Sequence, residues 1–156
     1  MDSNVSLEFV NVRNIHEIIN VNIFVNIIYK NFNEKYSHKE IIDILTSQYL
    51  AGYIIFNNDI IIGYILGEIH IMTNTKFTYF PEFLFVNNSY RNNEIGTLLF
   101  KKIISYCKQI KIDNIIIDYE NGEIIKSILT KLKFEIKQFN NIVEQPNIYF
   151  LKIDNN

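Results

Sequence analysis

Apolar residues recur along this chain in two rhythms, and the switches between them lay out the elements. Residues 5–10, "VSLEFV", alternate and predict a first strand. From about Asn14 the spacing lengthens. Ile15, Ile18, Ile19, Ile23 and Ile27 fall near helical intervals, although "NVNIFVNI" also alternates as a strand would. "SHKEIIDILTS" predicts a second helix: Ser37 stands at the cap, Glu40 completes a capping box, and Ile41, Ile44 and Leu45 form an apolar face.

"GYIIFNNDIIIGYILGEIHI" reads as a hairpin, its two apolar runs joined through Asn57, Asn58 and Asp59, residue types that accept turn conformations. "FTYFPEFLFV" is the next strand, and Pro81 inside it marks an edge, a bulge or a strand end, because proline donates nothing to a ladder. A helix over residues 97–109 follows, with Leu99, Ile103 and Tyr106/Cys107 on one face. "DNIIIDY" is a short buried strand, and "NGEIIKSILTKLKF" is a helix with Ile124, Ile125, Ile128, Leu129 and Leu132 apolar. "FEIKQF" and "NIYFLKI" add two strands. The expected architecture is α/β: a mixed central sheet of about seven strands with helices against it.

Composition narrows the function without naming it. A chain of 156 residues with 48% hydrophobic content supports one domain with a full core. The formal charge of -2, with only Lys101 and Lys102 adjacent among basic residues, gives no footprint for nucleic acid. One cysteine, Cys107, permits no internal disulfide and fits a reducing compartment. The start "MDSNVSLEFV" has no signal-peptide character, and "IINVNIFVNIIY" is too short and too rich in asparagine to span a membrane. A cytoplasmic protein is expected. No His, Cys or carboxylate cluster has metal-ligand spacing, so no metal is expected. The excess of Ile, Asn, Lys, Tyr and Phe follows AT-rich codons and inflates strand propensity, so periodicity carries more weight.

The stretch "NNSYRNNEIGTLLF" lies between a strand and a helix. Such a junction aims unpartnered helix amides, and the positive end of the helix dipole, at whatever sits before it. That makes it an anion site suited to phosphate. Gly96 offers backbone without a Cβ, and Arg91 offers a charged contact, although a glycine there also serves a simple turn. Neither the dinucleotide-binding nor the P-loop glycine spacing is met.

These residues resemble the signature of the GCN5-related N-acetyltransferase family, Arg/Gln-x-x-Gly-x-Gly/Ala after a strand ending Leu-x-Val. Leu84 and Val86 match the strand end, Tyr90 and Arg91 the start of the loop, Gly96 the final glycine, and Leu98 and Leu99 the helix start. "KLKF" resembles the family's "KLGF" junction, and the order of elements agrees over nearly the whole chain. The departures are Glu94 in the first glycine's slot, Lys133 in the junction, and Leu129 where many members carry a tyrosine acid.

The resemblance implies an acyl-CoA N-acyltransferase fold, with a mostly antiparallel sheet, helices on both faces and a splayed parallel strand pair at its centre. It also implies acetyl-CoA as co-substrate. The pyrophosphate would lie on the amides of Asn92, Asn93, Glu94, Ile95, Gly96 and Thr97 with Arg91. The pantetheine arm would pair along Leu84, Phe85 and Val86, with the Val86 amide toward the thioester oxygen and Asn121 nearby. Glu82 is the expected base, with Glu68 and His70 on the preceding strand as second choices. Tyr119 or Tyr149 would supply a proton to the thiolate, or the thiolate leaves unaided. Glu68, Glu82, Asp118 and Glu120 would favour a cationic acceptor. The expected partner is a small-molecule or peptide amine, with no nucleic acid and no membrane, and the protein itself is expected to be a monomer or homodimer. The alternative is a silent member that binds CoA or a partner without turnover. A different class again is an α/β interaction domain with no cofactor.

Overall fold

A computed structural model describes residues 7–118, 123–136 and 148–153. Strand β1 (Leu7–Asn11) passes through a 3-10 turn into α1 (Ile15–Ile18). The expected single helix from Asn14 to Ile27 is broken here. Ile19 is extended, and the Asn20 side chain accepts from the Asn22 and Ile23 amides at 3.0 and 3.3 Å, starting α2 (Val21–Phe32). Asparagine at an N-cap satisfies two orphan amides, which a helix running through Asn20 would leave without that acceptor. The capping box forms as expected: Ser37 caps α3 (His38–Leu45), and Glu40 returns to the Ser37 amide.

Strands β2 (Leu50–Asn57) and β3 (Ile60–Ile71) make the hairpin. Its two central residues, Asn58 and Asp59, hold φ of 48° and 69°, the turn geometry that matches strand twist. Strand β4 (Phe77–Val86) pairs antiparallel with β3. Pro81 stands opposite Gly67 and Phe83 opposite Leu66, so Glu82 is the extra residue of a bulge. Of the three meanings open for Pro81, the bulge is the one realised. Helix α4 runs Ile95–Gln109, starting two residues earlier than its apolar spacing suggested. Strand β5 (Asn114–Asp118), α5 (Glu123–Lys131), β6 (Glu135–Ile136) and β7 (Ile148–Lys152) follow. Beyond Ile136, the "FEIKQF" strand lies outside the described residues.

Among the described residues the sheet has seven strands in the order β1-β2-β3-β4-β5-β7-β6. All neighbours are antiparallel except β4 and β5. One core, with Ile65, Tyr79, Leu99, Phe100 and Leu129, lies on the α4 and α5 face. The other, with Phe24, Ile28, Ile41, Tyr64 and Phe83, lies on the α1–α3 face. Among the described residues no helix is long and apolar enough to cross a membrane.

Candidate active site

The central parallel pair separates almost as soon as it forms. Strands β4 and β5 are in register only at Thr78–Asn114 and Tyr79–Ile115. Pro81 and the bulge then turn β4 aside, while β5 stays with β7 as far as Asp118. The parting strands open a cavity of about 710 Å³, whose lining includes Tyr36, Glu82, Leu84, Phe100, Ile117 and Asp118. Two carboxylates, Glu82 and Asp118, thus stand on its two lips.

Glu82 meets a partner that the sequence does not announce. The Tyr36 hydroxyl donates to Glu82 Oε2 at 2.5 Å. Burial, then the hydrogen bond and charge of Glu82, then the charges of Glu40 and Asp118, raise the Tyr36 hydroxyl far above its usual pKa. Tyr36 therefore stays protonated and acts as a donor. Its own seat is fixed: its amide donates to the Phe32 carbonyl at 2.9 Å, closing α2, and the next residue caps α3. The ring stands edge-on to Phe83, with centroids 4.9 Å apart. The capping box marks Ser37 in the sequence, but nothing in the apolar spacing links position 36 to position 82.

The second choices for the base lie elsewhere. Glu68 and His70 sit opposite Phe80 and Thr78, below the bulge. Glu68 accepts from Ser47 Oγ at 2.8 Å, and His70 stands edge-on to Phe80. Neither is among the cavity's lining residues. Of the four carboxylates expected to gather, the structure brings Glu82 and Asp118 to the groove, while Glu120 lies outside the described residues, as do Tyr119 and Asn121. Tyr149 is 6% exposed, within the core on the α4 side. Leu129 is fully buried in that core.

Beyond the end of β4, a 3-10 turn (Asn88–Asn93) leads into α4. The Asn87 side chain opens it by accepting from the Ser89 amide at 3.0 Å. The first helical bond of α4 runs from the Leu98 amide to the Glu94 carbonyl, at 3.0 Å. The amides of Ile95, Gly96 and Thr97 therefore belong to the end that has no helical acceptor. The contact expected of the Arg91 side chain lies outside the described residues. Glu94 adopts φ 58° and ψ 21°, the left-handed conformation a glycine favours. Its carboxylate turns to Lys131 Nζ, 3.5 Å away in the last turn of α5.

Gly96 also has a packing role. A Cβ there would meet Ile128 Cδ1 at 3.3 Å and Val86 Cγ2 at 3.9 Å. The space its missing side chain leaves is taken up by α5, so Gly96 serves the packing of α4 against α5 and β4. The amides before Leu98 and the separated strands still fit a pyrophosphate and a pantetheine arm. Among the described residues no His, Cys, Asp and Glu group is arranged to hold a metal ion.

The sequence profile of the Acetyltransferase (GNAT) family matches residues 21–124. No curated protein sequence matches the chain. Among the solved structures that share the fold are three that match over nearly the whole length of the chain. Arabidopsis thaliana NAA60 with a bisubstrate analogue has a TM-score of 0.74 at 11% identity, covering 97% of this chain and 100% of that one. A GNAT-family acetyltransferase from Staphylococcus aureus Mu50 has a TM-score of 0.69 at 21% identity, covering 96% and 100%. Arabidopsis thaliana Naa50 with the bisubstrate analogue CoA-Ac-MVNAL has a TM-score of 0.67 at 21% identity, covering 94% and 97%. With the signature loop on α4 and the profile matched across the splayed strands, the chain belongs to the GNAT acetyltransferase family and is an N-acetyltransferase that takes acetyl-CoA as co-substrate.

Proposed function

We propose that the acceptor is a primary amine, carried by a small polyamine- or aminoglycoside-like molecule or by a peptide, and that it attacks directly in a ternary complex. The observation that carries this reading is the position of Glu82: on a bulge, at the mouth of the strand gap, lining the cavity with Asp118. When bound, acetyl-CoA supplies an activated acetyl group: the amine nitrogen bonds the carbonyl carbon, the C–S bond breaks and CoA leaves as thiolate.

An alkylammonium must lose a proton before it attacks, and near pH 7 a positioned base assists that loss. Glu82 takes this proton on the carboxylate oxygen not engaged by Tyr36. Asp118, on the opposite lip, favours a cationic acceptor by simple attraction. Leu84, Phe85 and Val86 offer strand backbone to the pantetheine arm, and the Val86 amide stabilises negative charge developing on the thioester oxygen. Arg91 and the amides of Asn92 through Thr97 take the pyrophosphate. Leu129 has no proton to give and Tyr36 holds its own too tightly, so the thiolate is protonated by Tyr119 or by solvent. Peptide acceptors belong in the range because Naa50 is seen with a peptide-bearing bisubstrate analogue. The single cysteine supports a cytoplasmic setting.

The test is thiol release from acetyl-CoA with spermidine, kanamycin and a short peptide with a free N-terminus. The reading expects turnover with at least one of these, lowered roughly a hundredfold by Glu82→Gln. Turnover that survives this substitution unchanged removes Glu82 as the base.

A further inference from the structure

We infer that Tyr36 is a positioning residue for the transfer, holding one carboxylate oxygen of Glu82 so that the other faces the gap between β4 and β5. This role rests on Glu82 being the base, as proposed above.

The geometry gives the contact a purpose beyond fastening helices to the sheet. Glu82 is the extra residue of a bulge, and its side chain is exposed. A glutamate so placed has three rotatable bonds and little packing to choose among their states, so an ordered pose needs a tether. Tyr36 is a rigid one. The α2 end and the α3 cap fix its backbone, and Phe83, the residue after Glu82, fixes its ring. The hydroxyl then reaches Oε2 at 2.5 Å, leaving the Oε1 lone pairs for an amine or a bridging water.

Tyr36 also suits this task chemically. A group that competed for the amine's proton would spoil the base. Burial and the surrounding carboxylates Glu82, Glu40 and Asp118 keep the phenol protonated, so it donates a hydrogen bond and accepts no proton. Lys35, on the same cavity wall, has its Nζ 5.8 Å from the ring centroid, over the face rather than at the hydroxyl. The donor arrives with the α2–α3 corner, which also supplies cavity wall from Lys30 to Lys35. The element that shapes the acceptor's side of the cavity thus also sets the base's orientation.

Tyr36→Phe keeps the ring on Phe83 and removes only the hydroxyl. In a crystal structure of this variant the Glu82 carboxylate should leave its wild-type pose. An unchanged pose overturns the positioning role, whatever the acceptor proves to be. Kinetics supply the second arm, with the most active of spermidine, kanamycin and the peptide. Tyr36→Phe should lower kcat roughly tenfold while changing the KM for acetyl-CoA little. Placed on Glu82→Gln, the same change should cost nothing further, because the two residues act as one unit. A full tenfold cost in both backgrounds overturns the coupling and leaves Tyr36 a structural residue. If Glu82→Gln alone costs nothing, the base assignment fails and the positioning role fails with it. Calorimetric titration with acetyl-CoA should give the same affinity for Tyr36→Phe as for wild type; a large loss would show a damaged fold and count against a local role.

Discussion

Glu94 stands where the family signature has glycine, and the backbone there keeps the glycine's conformation, φ 58° and ψ 21°. Left-handed geometry costs a non-glycine residue about 1 kcal/mol, and glycine costs a similar amount by loosening the unfolded chain. The exposed pair with Lys131 adds under about 1 kcal/mol. Glu94→Gly should therefore leave thermal unfolding within a few degrees of wild type. It should tighten acetyl-CoA several-fold, because a carboxylate leaves the mouth of the proposed pyrophosphate cradle; calorimetry checks the affinity. In the sequence, Glu94 reads only as a charge in an awkward slot. Its partner on α5 is a tertiary fact that spacing does not encode. Cys107 is the opposite case, legible as a core residue and found 1% exposed. Burial pushes its thiol up to about 12, from 9.0 for the free group. The unfolded chain thus ionises first, so this contribution to stability is whole below pH 9 and falls as pH rises toward 12. The slope is about 1 kcal/mol per pH unit. Denaturant titrations at pH 8 and pH 10 should show the loss, reduced in Cys107→Ala relative to its own pH 8 value.

At the scale of elements, β4 governs the site, and much of it could be read in advance. Its limits, Phe77 and Val86, match the apolar run, as do the Asn58–Asp59 turn and the Ser37 capping box. Each rests on local chemistry: alternation, positive φ and a side chain closing its own helix. The consequence of Pro81 was not legible to the same degree, because it depends on Gly67 across the ladder. A Cβ on Gly67 would lie 2.0 Å from the Phe80 carbonyl oxygen and 2.7 Å from Pro81 Cα. Gly67→Ala therefore has to move one strand off the other. It should cost about 2 kcal/mol or more and displace the Glu82 bulge. Chemical denaturation reads the first effect. The second appears as a fall in kcat beyond what the remaining folded fraction explains. The break between α1 and α2 escaped the apolar rhythm for a related reason: isoleucines continue through it, and Asn20 decides the matter by capping.

Across the whole molecule, one sheet separates two cores, and the site lies where the sheet opens. The α4 and α5 side carries the strand-to-helix junction proposed to cradle the co-substrate, and the α1–α3 side carries the corner that reaches Glu82. The family signature made the junction from β4 through the 3-10 turn into α4 readable because its residues are contiguous. The corner was hidden, since Tyr36 and Glu82 are 46 positions apart and meet only after both cores have formed. Arg91→Ala belongs to this scale, since it asks whether the cradle binds charge: acetyl-CoA should bind roughly tenfold more weakly, and more so at low salt than at high. The central claim is that acetyl transfer occurs in the gap between β4 and β5 with Glu82 beside the reacting carbonyl. A crystal structure with acetyl-CoA tests it most directly. The account predicts the pyrophosphate on the α4 amides, the thioester beside Leu84 and Val86, and a Glu82 carboxylate oxygen open toward the acetyl group. A thioester seated away from the gap, or a Glu82 side chain turned to solvent with Tyr36 detached, would contradict it.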